Sequence, residues 1–227
     1  MAILEATLKD TRSDFEFESE MGITLDKVKD SRTALSLIFD FMNDIMNTVL
    51  KFIDSGGVRN TYFLGRLTDE SFSNLLTLEE IINIDFRLKL SSPFEGCNNI
   101  SGDIWRGKEL LNRRQNDAIV KLRFDKSAVD LPSHVHSVSD RVLIEYEGEG
   151  FFHPNFDEFD RHTNANMQTV PIKKGDIICF PRNVIHTFST LNSTMGDFSY
   201  HLPFVELEDP LQYTMTKEIW YPKNRLT

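Results

Sequence analysis

Cysteine is scarce in this chain, and its arrangement excludes a disulfide-based fold. Only Cys97 and Cys179 occur among 227 residues; they lie far apart, and neither belongs to a C-x-x-C pair. A small disulfide-rich scaffold carries several cysteines at short spacings, as do cysteine-based metal sites. We therefore expect no disulfide framework, and we expect Cys179 to be a small apolar residue of a buried core.

Positive charge is also in short supply. The chain has 25 lysines and arginines against 35 acidic residues, a net charge of −10, with no basic cluster or tail. Nucleic acids and anionic membranes are polyanions and would repel such a protein. We expect neither as a partner and predict that the protein binds a small molecule.

The sequence contains no long uninterrupted apolar run. Its first twenty residues have no apolar segment behind a basic start, so they do not resemble a secretory signal. The most apolar helical stretch is interrupted at Asp40, Asp44 and Lys51, and each central charge in a membrane span costs about 2.5–3.5 kcal/mol. We therefore expect a cytoplasmic protein.

Helical periodicity dominates the first half of the chain. From Ser31 to Ile53 apolar residues recur every three or four positions, and Gly56-Gly57 ends the run. A second helical segment is predicted from Thr68 to Ile84, with Thr68 or Asp69 as its cap. The apolar stripe of the first helix packs either in the core or in a dimer interface, and we expect a homodimer.

After residue 116 the pattern changes to short runs rich in β-branched and aromatic residues, separated by turns. These runs predict strands at 118–124, 141–147, 169–172, 176–180, 186–190 and 197–205. No helical segment lies between them, which favours an antiparallel sandwich or barrel over a parallel sheet. We predict a mainly helical N-terminal region at 1–110, a β-barrel at 111–210 and a tail at 211–227.

His134 and His136 lie two residues apart in LPSHVHSVSD. Because side chains alternate along a strand, both imidazoles would project from one face and form a chelating pair. The same pattern also occurs at a solvated strand end. The residues around the pair favour the interpretation as a metal site.

The first motif of the cupin superfamily, Gly-x5-His-x-His-x3–4-Glu-x6-Gly, resembles the sequence around this pair. His134, His136 and Gly148 match the motif, whereas Ala128 occupies the position of the leading glycine. The resemblance to cupins spans roughly residues 117–205.

The second cupin motif, Gly-x5-Pro-x-Gly-x2-His-x3-Asn, resembles GDIICFPRNVIHTFST. Gly175, Pro181 and His186 match, while Asn183 stands at a glycine position and Thr190 at an asparagine position. The resemblance implies a mainly β protein with a cupin barrel, also called a double-stranded β-helix or jelly roll. It further implies that His134, His136 and His186 bind one divalent metal ion inside that barrel.

The chain departs from the cupin pattern at the usual carboxylate ligand. Counted back from Gly148, that position is Arg141, and a guanidinium cannot bind a metal. Asp140 has the right spacing from the histidines but is one residue out of register with Gly148, which would turn it to the opposite face. Asp140 is thus a candidate fourth ligand; the alternative is a three-histidine site, as in some non-haem iron dioxygenases of the superfamily.

Three further residues are candidates for catalytic roles. Arg141 would bind a substrate carboxylate through its planar fork, or else pair with an acidic neighbour such as Glu145. Glu145 would follow Arg141 and Leu143 inward, as that partner or as a base near the substrate. His201 on a late strand would contact substrate or support the ligands if it faces inward; otherwise it is a core histidine.

The leading functional hypothesis is an Fe(II) oxygenase that acts on a small anionic metabolite together with O2. Imidazoles also bind zinc, manganese, nickel and copper, so the type of ligand does not determine which metal is bound. Oxoglutarate is not expected as a cosubstrate, because His136 stands where the facial triad of those enzymes has a carboxylate. The alternatives are a redox-neutral cupin lyase or isomerase, with Glu145 or His201 moving a proton, and a non-catalytic ligand-binding cupin.

Overall fold

A computed structural model describes most of the chain. The described residues are 14–15, 25–55, 62–83, 88–90, 98–113, 117–129, 131, 133–136, 139–155, 167–182, 184–203 and 219–220. Cys97, Gly56-Gly57 and Asn183 lie outside these ranges. The described helices are α1 (Ser31–Ser55), α2 (Asp69–Ile81) and the short α3 (Gly107–Leu111), with one 3-10 turn at Leu25–Lys27.

Strands occupy most of the remaining described chain. They are β1 (Asp14–Phe15), β2 (Phe63–Leu67), β3 (Leu88–Leu90), β4 (Ile100–Arg106), β5 (Ala118–Phe124), β6 (Val135–His136), β7 (Ser139–Asn155), β8 (Val170–Lys173), β9 (Asp176–Phe180), β10 (Ile185–Ser189), β11 (Met195–Pro203) and β12 (Ile219–Trp220). Apart from the parallel pair β1 and β2, their pairings are antiparallel. The mainly β fold with a helical N-terminal region is confirmed.

The long strand β7 joins the two parts of the sheet. One path runs in the order β1-β2-β9-β7-β11-β5-β4-β3, and β8 and β10 pair with β7 beyond it. Residues 141–144 of β7 pair with β9, whereas residues 149–155 pair with β8 and β10. The strand therefore contributes to both walls of the barrel.

Side chains of β7 alternate between two environments, as a strand requires. Val142 and Ile144 belong to the apolar core shared with α1, whereas Arg141 and Leu143 line a cavity inside the barrel. Strand β11 continues this interior, since its residues 201, 199 and 197 pair with residues 141, 143 and 145 of β7. The interior thus has successive layers along the strands.

Helix α1 covers the outer face of the sheet with the apolar stripe found in the sequence. Phe39 packs edge to face on Tyr200 of β11, with ring centroids 6.0 Å apart. The Cys179 thiol of β9 is fully buried, 4.0 Å from the Met46 sulfur. The stripe therefore belongs to the core, and the expected burial of Cys179 is confirmed; the homodimer stays a prediction.

The N-terminus of α2 shows why this helix starts where it does. The Thr68 hydroxyl accepts a hydrogen bond from the Ser71 amide at 3.1 Å, which satisfies one of the unpaired donors of the first turn. The helix ends at Ile81, three residues before the predicted end. Within the described part of the chain, no helix combines the length and apolar character that a membrane crossing requires.

The sheet extends across the predicted boundary at residue 110. Strands β2, β3 and β4 belong to the predicted helical region, yet β2 pairs with β9, and β4 pairs with both β3 and β5. Strand β12, in the predicted tail, pairs with β6 beside the histidines. The sequence ISGDIWR of β4 carries a glycine and an aspartate, which obscured its strand character.

Candidate metal centre

Three histidines from separate strand segments converge inside the barrel. His134 directly precedes β6, His136 is the last residue of β6, and His186 lies on β10. Their ring centroids are 4.5–5.1 Å apart, and one nitrogen from each ring lies within 4.8 Å of the others. All three side chains are buried.

The spacing and hydrogen bonding of the cluster suit a metal ion. Nitrogens bound at about 2.0–2.1 Å lie roughly 3 Å or more from one another, so a small inward movement of the rings would complete the site. The Nδ1–H of His186 donates to the Val184 carbonyl at 2.9 Å, which leaves the Nε2 lone pair available. This second hydrogen bond is characteristic of metal-binding histidines.

Burial favours the neutral form of two of the three histidines. Burial lowers the pKa of His136 well below its usual value, and the nearby Arg141 cation lowers it further. Burial likewise lowers the pKa of His186, with smaller contributions from His134 and His136. Neutral imidazole is the form that binds a metal, so the environment favours ligation.

The structure does not bring Asp140 to this cluster. Its Oδ1 accepts a hydrogen bond from the Arg182 amide at 2.8 Å, and the residue pairs with Leu202 of β11. Cys179 lies on the side of the sheet that the helix covers. Burial raises the pKa of its thiol, and the charge of Asp140 raises that pKa further. Because neighbouring strand residues face opposite ways, Asp140 faces outward when Arg141 faces inward. The geometry is that of the three-histidine alternative.

Arg141 lies inside the barrel beside the histidines. Its side chain is only 1% exposed, and its Nη2 lies 2.7 Å from Nδ1 of His136. Across the sheet, residue 141 pairs with His201 of β11. A buried guanidinium therefore borders the candidate metal site.

Glu145, expected either as the partner of Arg141 or as a base near the substrate, is not among the residues that line the cavity. It shares the inward face with Arg141 and Leu143, but four residues along a strand correspond to about 13 Å. It lies instead opposite Asp197, and both side chains are fully buried. Alternation predicts the face of the sheet that a residue occupies, not its depth.

The Glu145 and Asp197 carboxyl groups form a buried acidic pair. None of their four oxygens has a hydrogen-bond partner among the described residues. Burial, followed by the Asp197 and Asp176 charges, raises the pKa of Glu145 well above its usual value. Burial raises the pKa of Asp197 in the same way. The pair therefore favours protonated forms.

His201 lies inside the barrel, close to the three-histidine cluster. Its ring centroid is 6.3 Å from that of His136, and its Nε2 lies 3.0 Å from the Ser199 hydroxyl. Ser199 was not identified from the sequence, although its position two residues before His201 on the same strand places it on the same face. This pair is the described group best placed to hold a proton near a bound molecule.

A small cavity of about 40 Å³ joins these groups. The four histidines, Ser199 and Arg141 form its polar side. Its apolar side is formed by Val120, Leu122, Phe124, Leu131, Leu143, Phe180 and Phe188. Phe180 packs against the His186 ring with centroids 4.4 Å apart, which limits solvent around that ligand candidate.

Comparison with known proteins gives only remote similarity. No family model matches the chain, and no curated protein matches it. Among solved structures, an oxalate oxidase is 13% identical with a TM-score of 0.38, covering 48% of this chain and 53% of its own. Vicilin from Corylus avellana is 12% identical with a TM-score of 0.38, covering 49% of this chain and 32% of its own.

A third similar structure is a predicted oxalate decarboxylase from Thermotoga maritima. It is 17% identical with a TM-score of 0.37, covering 52% of this chain and 92% of its own. The chain spans about half the length of the oxalate oxidase and about a third of the vicilin. The antiparallel barrel and the three histidines inside it confirm the cupin-type fold predicted from the two motifs.

Proposed function

We propose that this chain is a metal-dependent enzyme of the cupin type, and that it is an Fe(II) oxygenase acting on a small anionic metabolite. The observation that carries the proposal is the convergence of three buried histidines beside a buried arginine. The ligands proposed are His134, His136 and His186.

Charge balance favours an anionic substrate. Three neutral imidazoles leave the two positive charges of a divalent metal uncompensated, and the carboxylate of Asp140 faces away. Arg141 adds a further positive charge within the same cavity. A ligand that brings negative charge would balance the charge of the metal, so the site favours an anion.

The cavity limits the size of the substrate. A volume of about 40 Å³ accommodates a molecule of only a few heavy atoms unless the side chains around it move. The apolar wall supplies no hydrogen bonds, so orientation falls to Arg141 and the histidine side. A compact carboxylic acid meets both conditions.

Iron is the proposed metal because it would allow an anion and O2 to bind at the same centre. A divalent iron held by three imidazoles keeps open positions for an anion and for O2, which permits oxidation without an organic cofactor. The chain would contribute charge through Arg141 and a proton-holding pair through His201 and Ser199. Zinc, manganese, nickel and copper remain alternatives to iron.

The His201–Ser199 pair favours a second candidate, a redox-neutral lyase or isomerase. A histidine that lines the cavity, with its Nε2 bonded to a hydroxyl, can accept or donate a proton during carbon–carbon or carbon–hydrogen bond cleavage. Such chemistry needs a metal to polarise a carbonyl but needs no O2. Because Glu145 is not among the residues that line the cavity, the proton transfer is assigned to His201 instead.

Oxygen consumption separates the two candidates. The protein would be purified without oxygen, its metals measured, and samples loaded with iron, manganese or zinc tested on compact hydroxy, keto and amino acids. We expect O2 uptake only when the protein is loaded with iron and one of the tested acids is present. The His186→Ala variant should show no such uptake. Turnover of an acid without O2 would favour the second candidate, and binding without turnover under every metal would reject the enzyme proposal.

A further inference from the structure

The contact between Arg141 and His136 determines where the His136 proton lies. Arginine has only donors, so the 2.7 Å contact requires Nδ1 of His136 to accept from Nη2. A neutral imidazole carries one proton, and in His136 that proton is therefore on Nε2. Both side chains are buried, at 1% and 7% exposure, which excludes an exchange of partners with bulk water.

His186 shows the opposite arrangement. Its Nδ1 faces the Val184 carbonyl, which can only accept, so the proton is on Nδ1 and the Nε2 lone pair is available. His186 is thus prepared for a metal, whereas His136 is held in the other tautomer by Arg141. The two histidines differ although both belong to the same cluster.

Arg141 and a metal ion cannot use His136 in the same state. If the metal binds Nε2, the proton moves to Nδ1, where it meets a guanidinium donor. If the metal binds Nδ1, it takes the lone pair that Arg141 uses. By either route, ligation by a neutral His136 moves the Arg141 guanidinium away from Nδ1.

We propose that Arg141 couples metal binding to anion binding, because its guanidinium occupies His136 Nδ1 until a metal takes the site and then binds a carboxylate in the same cavity. This inference rests on the proposed metal site and anionic substrate, and adds the order in which they assemble. The displaced guanidinium stays in the cavity that the histidines line, where its planar fork matches a carboxylate.

The coupling has two consequences for affinity. Metal binding includes the loss of one buried charge-assisted hydrogen bond, so Arg141 weakens the metal affinity of the protein without anion. An anion that binds the displaced guanidinium replaces the hydrogen bond that Arg141 lost. Bound anion therefore raises the affinity for metal, and bound metal raises the affinity for the anion by the same factor. In the alternative, Arg141 does not move and contributes only its charge. It would then repel the metal independently of the hydrogen bond to His136.

Zinc binding to the full chain tests the first consequence. Zinc is redox-inert and suits imidazole ligands, and calorimetry would compare wild type with Arg141→Met, Arg141→Lys and the exposed control Arg123→Met. We expect Arg141→Met to bind zinc about 10- to 100-fold more tightly than wild type, from the usual strength of a charged hydrogen bond. Lysine keeps a charge and donors, so Arg141→Lys is expected to resemble wild type.

Nitrogen NMR of the wild-type imidazoles tests the tautomer without any variant. Long-range ¹⁵N–¹H spectra are expected to show His136 protonated at Nε2 in the metal-free protein, and a different His136 pattern after zinc is added. His186 is expected to keep its Nδ1 proton in both samples. An unchanged His136 pattern, or equal zinc affinities of wild type and Arg141→Met, would overturn the inference.

Formate, the smallest carboxylate, tests the second consequence. We expect zinc to increase formate affinity in wild type, and Arg141→Met to reduce that increase at least tenfold. An increase that survives in Arg141→Met would mean that formate binds zinc alone, which rejects the coupling. Failure of wild type to bind zinc at all would instead reject the proposed metal site, so the two failures are distinguishable.

Discussion

His134 and His186 lie directly opposite each other and exchange two backbone hydrogen bonds, of 3.0 and 2.9 Å. Their ring centroids lie 4.5 Å apart. Two of the three proposed ligands are therefore placed side by side by the pairing of their backbones.

Removal of a ligand tests the metal site directly. We expect His186→Ala to lower metal affinity by at least a hundredfold, because loss of even a supporting contact commonly costs 10- to 100-fold. His153→Ala is the matched control, since its ring bonds Ser189 and Thr169 instead of joining the cluster. Metal content after dialysis would be measured by elemental analysis, and equal loss in both variants would contradict the assignment.

Substitution of Arg141 tests the anion site. Arg141→Gln is expected to retain metal, because the three imidazoles remain, while affinity for the anionic substrate falls. A charge-assisted bidentate pair in a buried site is worth on the order of 2–4 kcal/mol, or roughly 30- to 1,000-fold in affinity. Equilibrium binding of the acid identified by screening provides the measurement, and unchanged affinity would remove Arg141 from the substrate site.

Replacement by glutamate should act differently from replacement by glutamine. Arg141→Glu places a carboxylate at the usual cupin ligand position, so we expect tighter metal binding together with repulsion of the anion. Metal retention in a chelator series and acid binding would be measured on one preparation. Weaker metal retention than in Arg141→Gln would show that the position does not reach the metal.

The buried pair Glu145 and Asp197 predicts a pH dependence of stability. Ordinary pKa values are 4.5 and 3.8, and burial raises both in the folded protein. Above about pH 4.5 the unfolded chain releases protons that the folded pair retains, so the free energy of unfolding decreases as pH rises through this window. Below both ordinary values the two states hold the same protons, and this contribution to the pH dependence disappears.

Asp197→Asn is the corresponding variant. It removes the cost of keeping a buried carboxyl group protonated at high pH, so we expect it to be more stable than wild type by about 1–3 kcal/mol at pH 8, equivalent to roughly 2–12 °C in Tm. No such gain is expected near pH 4. Thermal unfolding would be compared with Glu147→Gln, which removes a charge that is 42% exposed; an equal gain there would point to net charge instead of burial.

Helix α1 is predicted to be essential to the stability of the barrel. Met42 is fully buried in the core that the helix shares with the sheet, so Met42→Ala should cost about 2–5 kcal/mol of unfolding free energy. Asn47→Ala on the exposed side of the same helix is the control and should change little. Urea unfolding measures both; similar values would mean that the helix contributes little to the core.

The strongest periodic signals in the sequence predicted their elements well. Helix α1 starts at the predicted residue, and β5 and β9 have the predicted bounds, because an amphipathic stripe and compact apolar runs follow directly from burial. Strand β4 was missed because its pairing with β5 comes from tertiary context. Sequence separation conceals such partners, and the boundary at residue 110 was drawn through the sheet for that reason.

The candidate site shows the same division between local and non-local information. The two-residue period placed His134 and His136 together, and the second motif added His186, whose convergence the structure shows. Period alone could not distinguish Arg141 at the histidines from Glu145 deeper in the barrel, because depth depends on register with β11. The bond from Arg141 to His136 depends on rotamers, which no sequence pattern records.

The continuity of β7 also bears on the kinetics of the site. Along its length, β7 is hydrogen-bonded to β9, β11, β8 and β10. The two walls of the barrel therefore cannot separate by a hinge motion unless those hydrogen bonds break. Access to the cavity therefore does not come from separation of these two walls. If the chain has the proposed activity, a bound ion or acid should have a long residence time, and product release would set the turnover rate.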